Sequence, residues 1–178
     1  MTRKQDHVLL TTPRLTLRRQ RLRDAPVWHR LWTERDPRVP ASRRISAEGR
    51  PTEADLAEGI RALPDGPGLL TVERRLDGDV IGYCGLVFSG IVPDDGGGGE
   101  PELAFELLRA VHGNGYATEA GRAVIDWAAE IGYPRLWATV WDWNTASRRV
   151  LAKLGFRDSD RPGRESEHGR MITTAREG

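Results

Sequence analysis

The chain reads as a mixed α/β domain built around one sheet, and three features predict it. The stretch "LLTVERRLDGDVIGYCGLVF" reads as strand, Asp77-Gly78 turn and strand, because an Asp-Gly pair accepts the left-handed backbone of a tight hairpin turn. "ELAFELL" then alternates again, which makes three consecutive antiparallel strands. Helical stripes stand between the strands: Ala117, Ala120, Val124, Ile125, Ala128 and Ile131 share one face, with Thr118, Arg122, Asp126 and Glu130 opposite, and such a stripe packs on a sheet.

In chain order, residues 1–8 read as a loose tail, and Leu15 to Arg19 as a first strand, since Leu15 and Leu17 alternate with polar neighbours. Asp24 is placed to cap a helix from about Ala25, with Pro26 in its first turn and Val27, Trp28, Leu31 and Trp32 on one face. Thr52 caps a second short helix carrying Ala54, Leu56, Ala57 and Ile60, ended by Pro64 and the turn "PDGPG". The hairpin and "ELAFELL" follow, separated by the long turn "SGIVPDDGGGGEP". After the central helix, "RLWATVWDW" returns as a strand and "NTASRRVLAKL" as a helix capped by Asn144 and stopped by Gly155-Phe156. Two short strands, Phe156 to Asp158 and Arg170 to Thr174, close the chain. The order is β, α, α, β, β, β, α, β, α, β, β.

At 178 residues the chain suits one domain able to bury a core without disulfides or a metal, and no metal site is expected. No apolar run approaches the roughly 20 residues that span a bilayer, so a cytoplasmic protein is expected. Cys84, the single cysteine, sits in an apolar run and is expected to be a buried free thiol. A net charge of +1 excludes a globally basic nucleic-acid binder. The charge is uneven, however: Pro13 to Arg50 holds eleven arginines against four acids. That segment is either solvated helix faces or a basic lip for an acidic partner or a phosphate.

"HGNGYATEAG" sets two glycines at the mouth of the central helix, where unpaired N–H groups and the helix dipole favour an anion. A P-loop needs a Lys-Ser or Lys-Thr pair after its last glycine, and none stands there. A dinucleotide fingerprint would open a first βαβ unit, but an antiparallel hairpin precedes this turn, and too little chain follows for a second mononucleotide half.

Taken together, "TPRLTLR", "GDVIGYCGL", "PELAFELL", "HGNGYATEA" and "NTASRRVLAKLGF", in that order, resemble the GCN5-related N-acetyltransferases (GNAT), in particular the RimJ/RimL type of ribosomal-protein N-terminal acetyltransferase. The resemblance covers about Leu10 to Thr174. It implies a single GNAT-like domain with a mixed, mostly antiparallel central sheet flanked by helices, the family's fourth and fifth strands splayed. It also implies acetyl-CoA as cofactor and direct transfer of its acetyl group to a primary amine in a ternary complex. His112, Gly113, Asn114, Gly115, Tyr116 and Ala117 fall on the family's pyrophosphate loop. Leu107, Leu108, Arg109 and Val111 fall on the strand and turn that hold the pantetheine arm. Where members often carry Gln or Arg, three residues before the first glycine, Ala110 stands, with Arg109 beside it.

The same resemblance places Glu102 as general base, with Glu106 two pleat steps further along the same face; Glu106 or water alone are the alternatives. Many members protonate the departing thiolate with a tyrosine, but Leu151 occupies that position here. In the RimJ/RimL type a serine takes this part, which falls on Ser147, and Asn144 both caps its helix and bonds the pantetheine. Trp28, Trp32 and Glu106 are expected at the acceptor cleft. The acceptor is a protein N-terminus or a small-molecule amine. The alternative is an acyl-CoA-binding sensor domain without turnover. Exposed C-terminal edge strands point to a homodimer, with neither membrane nor direct nucleic-acid partners.

Overall fold

The computed structural model describes residues 8–89, 99–161 and 163–178. One sheet carries nine strands: β1 (Val8–Thr11), β2 (Leu15–Arg18), β3 (Leu69–Arg74), β4 (Val80–Val87), β5 (Glu102–Leu107), β6 (Leu136–Trp141), β7 (Arg157–Asp158), β8 (Arg164–Ser166) and β9 (Gly169–Arg176). Their order is β1-β2-β3-β4-β5-β6-β9-β7, with β8 also on β9, and four helices flank them: α1 (Ala25–Glu34), α2 (Glu53–Arg61), α3 (Tyr116–Glu130) and α4 (Thr145–Lys153). This is the α/β class expected, with a mostly antiparallel sheet.

The β3–β4 hairpin turns at Asp77-Gly78, where Gly78 adopts φ 77°, and β5 adds antiparallel to β4 over six residue pairs. Two strands exceed the sequence reading. Residues 1–7 of the expected tail lie outside the described residues, but Val8 opens β1, which pairs with β2. Near the other end, β8 pairs with β9.

One face of the sheet packs on α3. Leu86, Leu103, Leu136, Ala138 and Val140 meet Ala120, Val124, Ile125 and Ala128 there in one apolar cluster. Ile131, expected on that stripe, instead follows the last turn of α3 and is 40% exposed. Cys84 is buried in the cluster, and burial pushes its thiol pKa up. The opposite face packs on α1, where Trp28 stacks on Tyr83 of β4 at 4.5 Å between ring centroids.

The capping readings divide. Thr52 caps α2 as expected, accepting from the Asp55 amide while the Asp55 carboxylate accepts from Thr52 N–H. Asp24 precedes α1 but its side chain makes no cap, a correction with a clear cause. A short 3-10 turn, Leu22–Asp24, comes first, and the carboxylate turns inward to accept from the buried Arg18 guanidinium, the Thr71 hydroxyl and the Arg21 amide.

The feature that positions the site is the junction of β5 with β6, the parallel neighbours in the sheet. They share one register pair, Glu102 with Trp137, where Trp137 N–H donates to Pro101 O at 3.1 Å. On their outer sides, β5 is paired along its length with β4, and β6 with β9. The two strands therefore open from one another like a V.

Candidate functional site

Backbone groups alternate sides along a strand. Pro101 O points to β6 and Leu108 N–H donates to Ile81 O on the β4 side, so the N–H and C=O of Leu103, Phe105 and Leu107 face the open V. Leu108 therefore offers its amide to β4 and not to the gap. Leu107 O accepts from His112 Nε2 at 2.8 Å. Because a carbonyl can only accept, Nε2 carries the proton, and the imidazole ties the end of β5 to the glycine turn.

At that turn, a 3-10 turn over Arg109–Val111 leads through Gly113 and Gly115, at φ 79° and 78°, into α3. Left-handed backbone at both positions asks for glycine. The first intrahelical bond is Glu119 N–H to Gly115 O, and no side chain caps the helix, so the amides of Tyr116, Ala117 and Thr118 stand free at its positive end. A Cβ at Gly113 would meet nothing within 4 Å, so an anion has room to approach. Such a turn fits a pyrophosphate.

Two residues that the sequence did not single out brace this turn. Arg14 donates from Nη1 to Asn114 O at 2.9 Å and from Nε to Glu119 at 2.6 Å, and its guanidinium lies 4.5 Å from the Tyr116 ring centroid. Glu119 also accepts from the Thr12 hydroxyl and the Arg14 amide. Burial opposes the Glu119 anion, but these donors hold its pKa below the usual carboxylate value. The β1–β2 connection is thereby fastened onto the first turn of α3. Arg14→Ala should weaken binding of an anion at this turn about tenfold, roughly what one lost charge-assisted bond is worth, with a smaller effect on any ligand held on the α1 side. Equal losses at both places would reject the bracing role.

On the α1 face, Glu102 is 6% exposed, with one carboxylate oxygen accepting from the Ser89 hydroxyl and the other from Thr139 of β6 at 2.9 Å. Glu106 is held differently. Arg35 grips it with Nε and Nη2 at 2.9 and 2.7 Å, and the Tyr83 hydroxyl donates to it at 2.9 Å. Burial first, then the Glu106 charge, pushes the Tyr83 pKa up. Arg35 also lies 4.2 Å from the Trp32 ring centroid. Trp28, Trp32 and Glu106 thus meet in one wall through Tyr83 and Arg35, neither of which the sequence marked out.

Glu34, the last residue of α1, accepts from the Arg109 amide at 2.8 Å and joins that wall to the end of β5. Burial acts against its anion, but the Arg109 amide and Arg30 lower its pKa. The facing wall comes from the chain after β6. Trp141 stacks near Trp143, Arg38 lies 4.1 Å from the Trp143 ring centroid, and His168 Nδ1 donates to Arg38 O at 3.1 Å. At the start of α4, Asn144 Oδ1 accepts from Ser147 N–H at 3.1 Å. The Ser147 hydroxyl is half-buried and has no partner among the described residues. Elsewhere, an open groove of about 830 Å³ runs between β1 and α3 and touches the glycine turn only at Gly115.

The arrangement is a V-shaped slot with backbone groups facing it, a turn of uncapped amides at one end and an aromatic, arginine-rich cleft on the α1 side. A family model for an acetyltransferase (GNAT) domain matches residues 14–157. The uncharacterized N-acetyltransferase p20 of Bacillus licheniformis is 32% identical over 151 residues, covering 83% of this chain and 81% of that protein. An acetyltransferase of the GNAT family from Bacillus anthracis superposes with TM-score 0.73 at 20% identity, over 94% of this chain and 97% of that one. The fold is likewise similar to yncA of Salmonella typhimurium, solved with its cofactor acetyl-CoA, with TM-score 0.67 at 20% identity over 92% and 93% of the two chains.

Proposed function

The chain belongs to the GNAT acetyltransferases, and on that premise we propose that it transfers the acetyl group of acetyl-CoA to a primary amine by direct attack in a ternary complex. The observation that carries the reading is the alignment of two features: free amides at the mouth of α3 and the open V between β5 and β6, joined by His112. Acetyl-CoA, when bound, supplies the acetyl group as a thioester, so that an N–C bond forms, a C–S bond breaks and the amine's proton is left for the departing sulfur.

The chain's own residues divide the remaining work. His112, Gly113, Asn114, Gly115, Tyr116 and Ala117 form the anion cradle. The Leu107 amide facing the V, with Arg109 and Val111 at the turn, lines the pantetheine path, and an amide of β5 facing the V polarises the thioester carbonyl. Glu102 is the base. Being buried, it receives the proton through the Thr139 or Ser89 hydroxyl, each already donating to it. Asn144 fixes the first turn of α4 and so the Ser147 hydroxyl, which relays a proton to the sulfur and regains one from solvent, to which Glu102 gives up the proton it took from the amine. Glu106 keeps its place by way of Arg35 and Tyr83 and lines the acceptor cleft with Trp28 and Trp32. The RimJ/RimL type is the branch we favour, because Leu151 stands where other members carry a tyrosine. The setting is the cytoplasm, and the short exposed C-terminal strands β7 and β8 at the sheet edge suit pairing with a second copy.

A thiol-release assay with acetyl-CoA and a panel of peptide N-termini and small amines tests the reading. Glu102→Gln should lower kcat by about 10²-fold, the lower end for loss of a general base. Ser147→Ala should lower kcat by about tenfold, with KM for acetyl-CoA little changed. Coenzyme A binding without turnover on any amine would reject the proposal.

A further inference from the structure

The mouth of the acceptor cleft holds more cations than its own acids neutralise. Glu106 is taken by Arg35, Asp36 by Arg38 in a two-point pair at 2.9 and 2.8 Å, and Glu34 by Arg30 and the Arg109 amide. Arg38 holds the Asp36 pKa down to about 2. Two arginines at the same mouth, Arg43 and Arg109, have no side-chain partner among the described residues.

Both arginines are placed by contacts already described. Arg35 Nη1 donates to Arg43 O at 2.8 Å, so Arg43 sits beside the guanidinium that grips Glu106, and its charge reaches the buried Tyr83. The Arg109 amide is on Glu34, and its guanidinium acts on Glu34 and Asp36. Arg43 and Arg109, neither with a side-chain hydrogen bond among the described residues, therefore flank the Arg35–Glu106 pair, one from the α1–α2 connection and one from the end of β5. Across the cleft, the Asp142 carboxylate accepts from the backbone amide of Trp143 at 2.9 Å, and its charge acts on Arg38. Glu102, four residues before Glu106, lies about 13 Å away along the strand. Among the described residues, a local excess of positive charge thus stands where the amine must pass.

We infer that the acceptor is an anionic amine, a primary amine carrying a carboxylate or phosphoryl group that Arg43 and Arg109 hold at the cleft mouth. The inference rests on the acetyltransferase reading and names its substrate class. Guanidinium is suited to this, because its forked donors match both carboxylate and phosphoryl oxygens. Polyamines and other polycationic acceptors are disfavoured by the same charge.

The test uses matched pairs of acceptors with acetyl-CoA: an amino acid against its methyl ester, and phosphoethanolamine against ethanolamine. The anionic member of at least one pair should show a kcat/KM at least tenfold higher, and the pair that does so distinguishes carboxylate from phosphoryl. Arg43→Ala should cut that anionic-to-neutral ratio at least tenfold through the acceptor KM, and Arg43→Glu should invert it, while Arg43→Lys keeps part of it. A wild-type preference for neutral or polycationic amines, or a ratio unmoved by Arg43→Glu, overturns the inference while leaving acetyl transfer intact. Should no amine be turned over, acetyl transfer itself fails. Calorimetric binding of the same anionic compounds to wild type and Arg43→Ala then decides the anion site: a Kd at least tenfold weaker in the variant supports it, and equal binding overturns it.

Discussion

Asp24→Asn lowers the unfolding free energy by about 3–5 kcal/mol, the range expected when one partner of a buried ion pair is removed. Asp24 is 1% exposed and Arg18 2%. The carboxylate accepts two bonds from Arg18 at 2.8 and 2.9 Å, one from Thr71 and one from the Arg21 amide. Neutralising it leaves a buried guanidinium with Glu73 as its remaining carboxylate partner. The network ties β2 and β3 to the segment leading into α1, so the wall built on α1 loosens with it. Chemical denaturation at neutral pH measures the loss. Asp24→Leu combined with Arg18→Met should recover part of it, because removing both charges leaves no unpaired ion.

The pH dependence of that difference has a definite sign. Burial works against the Asp24 carboxylate, yet the bonds from Arg18, the Arg21 amide and Thr71, with the Arg18 charge, hold its pKa below the usual aspartate value. A depressed pKa contributes stability that is fully present above the unfolded value of about 3.9 and is lost as pH falls through the folded one. The gap between wild type and Asp24→Asn should therefore be constant near neutrality and shrink below about pH 4. A gap that widens toward acid would show that Asp24 is not held as an anion.

The contrast between Asp24 and Thr52 marks what the sequence can carry. A capping box is local: Thr52 and Asp55 lie three residues apart, and their chemistry is written in that spacing. Asp24 stands at an equally good capping position, but its partners are Arg18 and, 47 residues away, Thr71, and no spacing rule reports them. The site divides the same way. The glycine turn and the Asn144 cap are short-range patterns and were legible. Arg35 on Glu106, across 71 residues, and Arg14 on Glu119, across 105, exist only because the sheet brings β2, β5 and the helix ends together. Tyr83 was visible as an apolar strand residue, but its hydroxyl acquires a role only when Glu106 is paired opposite it in the register of β4 and β5. The strand β1 escaped because Val8 to Thr11 is short and gains its meaning from β2.

Gly115→Val should weaken coenzyme A binding by about 10²-fold while the protein stays folded, as read by calorimetry and by circular dichroism. Gly115 sits at φ 78° immediately before α3, a conformation that costs an ordinary residue about 1–2 kcal/mol and a β-branched one more. Space is not the obstacle, since the nearest atom to a Cβ there is Arg14 Nη2 at 3.6 Å. Valine would relieve its strain by leaving the left-handed region, and the turn before α3 would change direction. The amides of Tyr116, Ala117 and Thr118 would then no longer converge with the backbone of Gly113 on one anion. Hydrogen bonds to a charged group are worth about 1.5–3 kcal/mol each, and about 2.7 kcal/mol corresponds to 10²-fold in affinity. Losing one or two of them accounts for the effect. Gly113→Ala is the milder companion, because it meets no neighbour and strains only its own backbone, and about tenfold is expected of it. If Gly115→Val binds coenzyme A as tightly as wild type, the mouth of α3 is not the cradle, and the anion must be sought along the arginines of the acceptor cleft instead.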